Sequence, residues 1–119
     1  MLSLREKGII FCIIDHCERV EEKAIGQTCE TFKTNRDIKE IICFNIFQIG
    51  ELIKNLSDDF LAKHKDAPWK DIKGMRDIIG HGYGTIDLDI VWYSASNEVT
   101  PLKEYCQLML EENKQKEPA

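Results

Sequence analysis

Trp69-Lys70-Asp71-Ile72-Lys73-Gly74-Met75-Arg76-Asp77-Ile78-Ile79-Gly80-His81-Gly82-Tyr83-Gly84 is the stretch on which both fold and chemistry turn. Ile72, Met75, Ile78 and Ile79 recur at three- and four-residue steps, the period of a helix with one buried face. Pro68 suits the helix entrance, where its missing N–H costs nothing. Gly80, Gly82 and Gly84 make continuation expensive. Arg76 is a permanent cation whose planar donor fork matches a phosphate. His81 gains or releases a proton near neutral pH. Tyr83 adds a hydroxyl that can donate, accept or be modified. Cation, proton carrier and hydroxyl within eight residues point to work on a phosphodiester. On an unbroken helix Arg76 and His81 diverge by roughly 140° and stand about 7.5 Å apart along the axis. They meet on one phosphate only if the helix frays at the glycines or a second chain completes the site.

Each residue has a plainer role when taken alone. A helix arginine is commonly a surface ion pair, and Asp77 or Asp71 is near enough in sequence to engage it. A histidine beside glycines commonly caps a helix, and a tyrosine is commonly half-buried packing. The residues around them decide in favour of function.

Arg76, four residues, His81, one residue and Tyr83 resemble the Arg-x4-His-x-Tyr signature of HEPN-domain toxins of the HepT kind. The likeness extends to Ile49-Gly50-Glu51, to Trp69, to Ile86-Asp87 and Val91-Trp92, and to Pro101-Leu102, and it covers roughly Ile42 to Leu102. Gly80 and Gly84 depart from it, standing where bulkier residues are expected. The resemblance implies an all-α, antiparallel HEPN-like bundle. It implies a metal-independent endoribonuclease whose paired motifs line a cleft between two protomers. It further implies a cognate minimal nucleotidyltransferase antitoxin that transfers AMP to the motif tyrosine, here Tyr83. The corresponding catalytic residues are Arg76, His81 and Tyr83.

The residues alone support the same chemistry. Cleaving RNA without a metal uses the substrate's own 2′-hydroxyl as nucleophile, which needs a base for the proton and a cation for charge growing on the phosphate. His81 fits the first role and Arg76 the second, with Tyr83 positioning the phosphate or His81. Lys70 and Lys73 add positive charge beside Arg76 and are candidate RNA contacts. There is no acidic cluster for a two-metal nuclease, no Gly-x-x-x-x-Gly-Lys loop for an NTPase and no Gly-x-Ser-x-Gly for a hydrolase. No metal and no cofactor are expected. A competing reading is a non-catalytic helical partner or substrate-binding subunit of a minimal nucleotidyltransferase, and a third is a plain dimeric ligand-binding bundle.

Composition sets the frame around this site. The chain has 119 residues, 43% apolar and 31% charged, which suits one globular domain with a real core. Three prolines and seven glycines leave little room for turns, which argues for a few long helices. The net charge of -5 speaks against a broad duplex-binding surface. It allows a small cleft of local positive charge, and duplicating that cleft across a dimer sharpens the field. The cysteine count of five is odd, with no C-x-x-C, so the thiols are expected to be reduced, mostly buried, and in a cytoplasmic protein. A zinc site from Cys12, His16 and Cys17 is disfavoured because those residues diverge around a helix. Gly8 to Ile14 is too short and lacks the cleavage site of a signal peptide. No stretch is long enough to span a membrane.

In order along the chain, a first amphipathic helix is expected from Ser3 to Ala24, with Ile9, Ile10, Ile13, Ile14, Cys17 and Val20 inward. Thr28 to Thr34 is a turn region with one helical turn around Phe32. Asn35 caps the next helix, which runs from Ile38 to Leu56 and is apolar nearly all round. Its extra face goes either against a second chain or into the middle of one bundle. Gly50 marks a close helix crossing, and Glu51 reads more readily as surface or structural than as a site residue. Ser57-Asp58-Asp59 opens a short helix ending near Lys65, with His64 exposed. Trp69 reads as a core or interface anchor rather than a stacking platform. Ile86 to Trp92 forms a further helix, since a lone strand has no partner. Thr100-Pro101 caps the last helix, and residues 111–119 form a polar tail that frays. The expectation is a single domain over 1–119 with about five main helices.

Overall fold

In the computed structural model, residues 1–81 and 86–116 are described, residue 81 by its backbone only; Tyr83 and the end of the tail lie outside these. Seven helices occur among the described residues: α1 (Leu4–Ala24), α2 (Cys29–Thr34), α3 (Arg36–Lys54), α4 (Asp58–Lys63), α5 (Trp69–His81), α6 (Leu88–Asn97) and α7 (Val99–Lys116). Five have ten or more residues, and α2 and α4 are six-residue connectors. The all-α bundle expected from the apolar spacing is the fold observed.

Local chemistry sets most boundaries. Ser3 accepts the Glu6 N–H at 3.0 Å while Glu6 accepts the Ser3 N–H at 2.9 Å, a reciprocal cap that the sequence reading did not use. Asn35 caps α3 by accepting the Ile38 N–H at 3.1 Å, and Ser57 caps α4 through the Phe60 N–H at 3.0 Å. Such caps contribute about 0.5–2 kcal/mol each. Asp87 caps α6 by accepting from Asp89 and Ile90.

Helix α3 is the centre of the bundle. Helix α1 lies antiparallel along one side, with Arg5 donating to the Asn55 carbonyl at 2.9 Å and His16 Nδ1 donating to Asn45 at 2.7 Å. Helix α5 lies antiparallel along the other, Gly50 facing Arg76 and Phe47 facing Gly80. Between these two, Ile42, Ile46, Ile49 and Ile53 are fully buried. The all-round apolarity of α3 is thus mostly absorbed within one chain. The remainder is a stripe of Ile41, Phe44, Gln48 and Leu52, spaced as one helix face, on which Phe44 is 57% exposed. On α1, Phe11 is also exposed.

Helix α7 completes the bundle against α1. Glu21 accepts from Lys103 at 2.7 Å and from the Thr100 hydroxyl, and Asn113 accepts the Leu2 N–H at 2.8 Å. One expectation is corrected here. The last helix starts at Val99 rather than at a Thr100 cap, because the Thr100 hydroxyl is directed to Glu21. Helix α7 runs to Lys116, with Met109 and Asn113, one turn apart, both buried. His64 is corrected too, since its ring lies 4.7 Å from Phe60 and shares a 3.2 Å hydrogen bond with the Tyr105 hydroxyl. Burial among these rings pushes its pKa down. Trp69 anchors this corner, donating its indole N–H to the His64 carbonyl at 2.8 Å.

Cys17, Cys43 and Cys106 are buried, Cys12 is exposed and Cys29 half-buried, and all five are free thiols. Among the described residues, no helix is long and apolar enough to cross a membrane.

Candidate active site

Helix α5 carries Lys70, Lys73, Arg76 and, at its last position, the backbone of His81, and it packs against α3. Gly50 is what lets the two helices meet there. A Cβ at Gly50 would fall well inside contact with Arg76 Cβ, 3.0 Å from its Cγ and 3.4 Å from its Cα. Arg76 is therefore fixed from its backbone outward. Its Nε donates to Glu51, the residue after that glycine. Its Nη1 donates to Asp77 at 2.8 Å. Its guanidinium carbon stands 5.6 Å from the centre of the Phe47 ring, within cation–π range. The Arg76 side chain keeps 22% of its exposure, against 35% for Glu51 and 63% for Asp77. The hydrogen bonds of Asp77 and Glu51 hold the guanidinium pKa above its already high value, so Arg76 stays charged at any working pH.

Glu51 and Phe47 are the α3 side chains that hold Arg76, so the structural role expected of Glu51 takes the form of an ion pair. The signal for both was present: Phe47, Gly50 and Glu51 stand at i, i+3 and i+4, one helix face built around a glycine. The flat fit at Gly80 has the same origin. A Cβ there would come within 2.9 Å of the Phe47 ring, so the departure at Gly80 is matched by a phenylalanine on α3.

His81 is the last residue of α5. The helix stays intact through Gly80, so fraying before His81 does not bring it round to Arg76. Five residues of unbroken helix therefore set Arg76 and His81 roughly 140° apart around the axis. Tyr83 lies outside the described residues, as does the His81 side chain. Lys70 and Lys73 are exposed on α5, two turns and one turn before Arg76. The disfavoured zinc trio is indeed split by the helix: Cys17 points into the core, Cys12 outward, and His16 is held by Asn45.

The fold is an all-α bundle of HEPN-like kind, with an arginine held at the α3–α5 crossing by Glu51, Asp77 and Phe47. The chain belongs to the HepT-like ribonuclease family, which matches residues 13–109. It is 31% identical over 102 residues to a provisionally named RNase of Caldanaerobacter subterraneus subsp. tengcongensis, covering 86% of this chain and 91% of that protein. It is 28% identical over 91 residues to a protein named probable ribonuclease HepT from Thermococcus cleftensis, covering 76% and 83%. A longer relative from Methanocaldococcus jannaschii, named as a γ-glutamylcyclotransferase joined to a provisional RNase, is 33% identical over 100 residues, which are 84% of this chain and 45% of that one. No solved structure matches the chain.

Proposed function

We propose that this protein is a metal-independent endoribonuclease, the toxin of a toxin–antitoxin pair, acting at a cleft between two protomers. The observation that carries the reading is the mounting of Arg76. A cation clamped by a helix crossing, a carboxylate and an aromatic ring on an open edge is preorganised to receive a phosphate. The two bonds to Glu51 and Asp77 account for two of its five N–H groups. The better-shielded Glu51 keeps hold of Nε, while the exposed Asp77 is the partner a phosphate displaces.

In the proposed step His81 takes the proton of the substrate 2′-hydroxyl. That oxygen bonds to the adjacent phosphorus, and the bond from phosphorus to the 5′-oxygen breaks. The leaving 5′-hydroxyl regains a proton, and a 2′,3′-cyclic phosphate remains. Arg76 offsets the charge building on the phosphate oxygens, Tyr83 orients the phosphate or His81, and Lys70 and Lys73 hold flanking phosphates. Because α5 stays helical through Gly80, convergence of Arg76 and His81 on one phosphate calls for a second copy of the chain. Phe11, exposed on α1, marks a surface on which that copy can pack. AMP carried by Tyr83, placed there by a cognate nucleotidyltransferase, would bring an anion to Arg76 and exclude RNA.

One observation favours the second reading, a non-catalytic partner of a nucleotidyltransferase: Arg76 already has two carboxylate partners, as a structural ion pair would. The deciding experiment is incubation with single-stranded RNA, with and without chelator. Cleavage that survives chelator and falls on the order of 10²–10³ in Arg76→Ala and His81→Ala supports the nuclease. Full activity in a folded His81→Ala protein refutes the mechanism. Intact-mass spectrometry of a co-expressed complex tests for adenylate on the Tyr83 peptide.

A further inference from the structure

Beside the Arg76 edge lies a groove of about 940 Å³, within the size range of small-ligand sites. Its floor is apolar: Phe44 and Phe47 from α3, Ile79 from α5 and Leu88 from α6. Its far rim is polar, with Lys39 and the Arg36–Glu40 ion pair, whose atoms are 3.0 Å apart. The sum of those three charges is positive in a chain that is acidic overall.

Phe47 belongs to both places. It touches the Arg76 guanidinium at one edge and floors the groove on the other. Phe44 stands one turn further along α3, roughly 4.5 Å up the axis, and keeps 57% of its surface open to solvent. An RNA strand with a phosphate at Arg76 continues past it on both sides. In the direction of Phe47 it meets two aromatic rings and then a lysine. That order of base-stacking face followed by cation is how proteins grip single-stranded nucleic acid.

We propose that this groove is a subsite for the nucleotide next to the cleaved phosphate. Its base lies on Phe44 and Phe47, and the phosphate beyond it pairs with Lys39. The proposal rests on the ribonuclease reading and names how the strand is held. It also assigns Phe44 a ligand rather than a subunit contact. Stacking accepts any base, so the subsite sets strand affinity and the polarity of binding more than sequence.

The test uses the full-length protein and a short RNA strand with 2′-O-methyl groups, which removes the attacking hydroxyl, carrying 2-aminopurine at successive positions. Expected is fluorescence quenching at one position flanking the cleavage site found on the unmodified strand. Phe44→Ala should lose that quenching and bind about 5- to 100-fold more weakly. Lys39→Gln should flatten the dependence of log affinity on log salt by about 0.7, the loss of one single-strand phosphate contact. Unchanged quenching and affinity in Phe44→Ala would overturn the proposal. So would light scattering showing that Phe44→Ala splits an oligomer while the wild type never quenches, since Phe44 would then be a subunit contact. Cleavage without quenching removes the subsite and leaves the nuclease. Quenching without cleavage of the unmodified strand removes the nuclease and leaves a nucleotide groove.

Discussion

Replacing Gly50 by alanine adds one methyl group at the point where α3 and α5 are closest. In an open helix that change is favourable by about 0.8–1 kcal/mol. Here the added carbon meets Arg76 Cβ and lies 3.4 Å from Arg76 Cα, against about 3.5–4.0 Å for relaxed carbon contacts. A Cβ cannot swing aside as a side-chain end can, so the helices must part. Overpacking of this kind costs about 1–3 kcal/mol, and contact with the main chain puts Gly50 at the upper end. Net destabilisation of about 1–2 kcal/mol follows, or about 4–8 °C at roughly 4 °C per kcal/mol for a chain of this length. Parting the helices also draws Arg76 away from Glu51, and a shift near 1 Å can lower turnover on the order of 10²-fold. Gly74→Ala is the control, because nothing lies within 4 Å of its added carbon. It should raise Tm. Thermal unfolding followed by circular dichroism reads the first effect, and initial rates on single-stranded RNA read the second. A Gly50→Ala protein with a raised Tm and full activity would refute the reasoning.

The two carboxylates on Arg76 should separate kinetically. Glu51→Gln should lower kcat about tenfold or more by loosening Nε, with little change in KM. Asp77→Asn should lower KM about 3- to 10-fold, because a charge facing the incoming phosphate is removed; steady-state kinetics on one RNA substrate distinguishes the two. The clasp between α1 and α7 gives a pH signature. Burial pushes the Glu21 carboxyl up, but hydrogen bonds from Lys103 and Thr100 outweigh it and hold it below the usual carboxylate range. The stabilisation is therefore present above the ordinary glutamate pKa and disappears as pH falls through the lowered value. Glu21→Gln should reduce Tm at pH 7 and should differ little from wild type at the acid end, as scanning calorimetry across pH would show.

The sequence by itself determined the all-α class and most helix positions, and it supplied Arg76, His81 and Tyr83 as the candidates for chemistry. Period-3.6 apolar spacing is a local property, and Asn35 and Ser57 mark helix starts because their side chains bond N–H groups three residues away. Gly50 was legible as a crossing, since a bare helix position in an apolar run has few other uses. What only the tertiary structure decided is everything that depends on which helices become neighbours. The apolar surplus of α3 reads equally as an interface or a bundle centre until α1 and α5 are seen on its two sides. The run from Glu111 on reads as a polar tail, and only the packing of α7 shows that Asn113 within it is buried and bonded to Leu2 across the whole chain. Arg76 shows its charge in the sequence, but its partner Glu51 is 25 residues away and its aromatic support Phe47 lies on another helix. Charge and proton chemistry are written in residue types, whereas the aim of a charge is set by packing between elements distant in the chain.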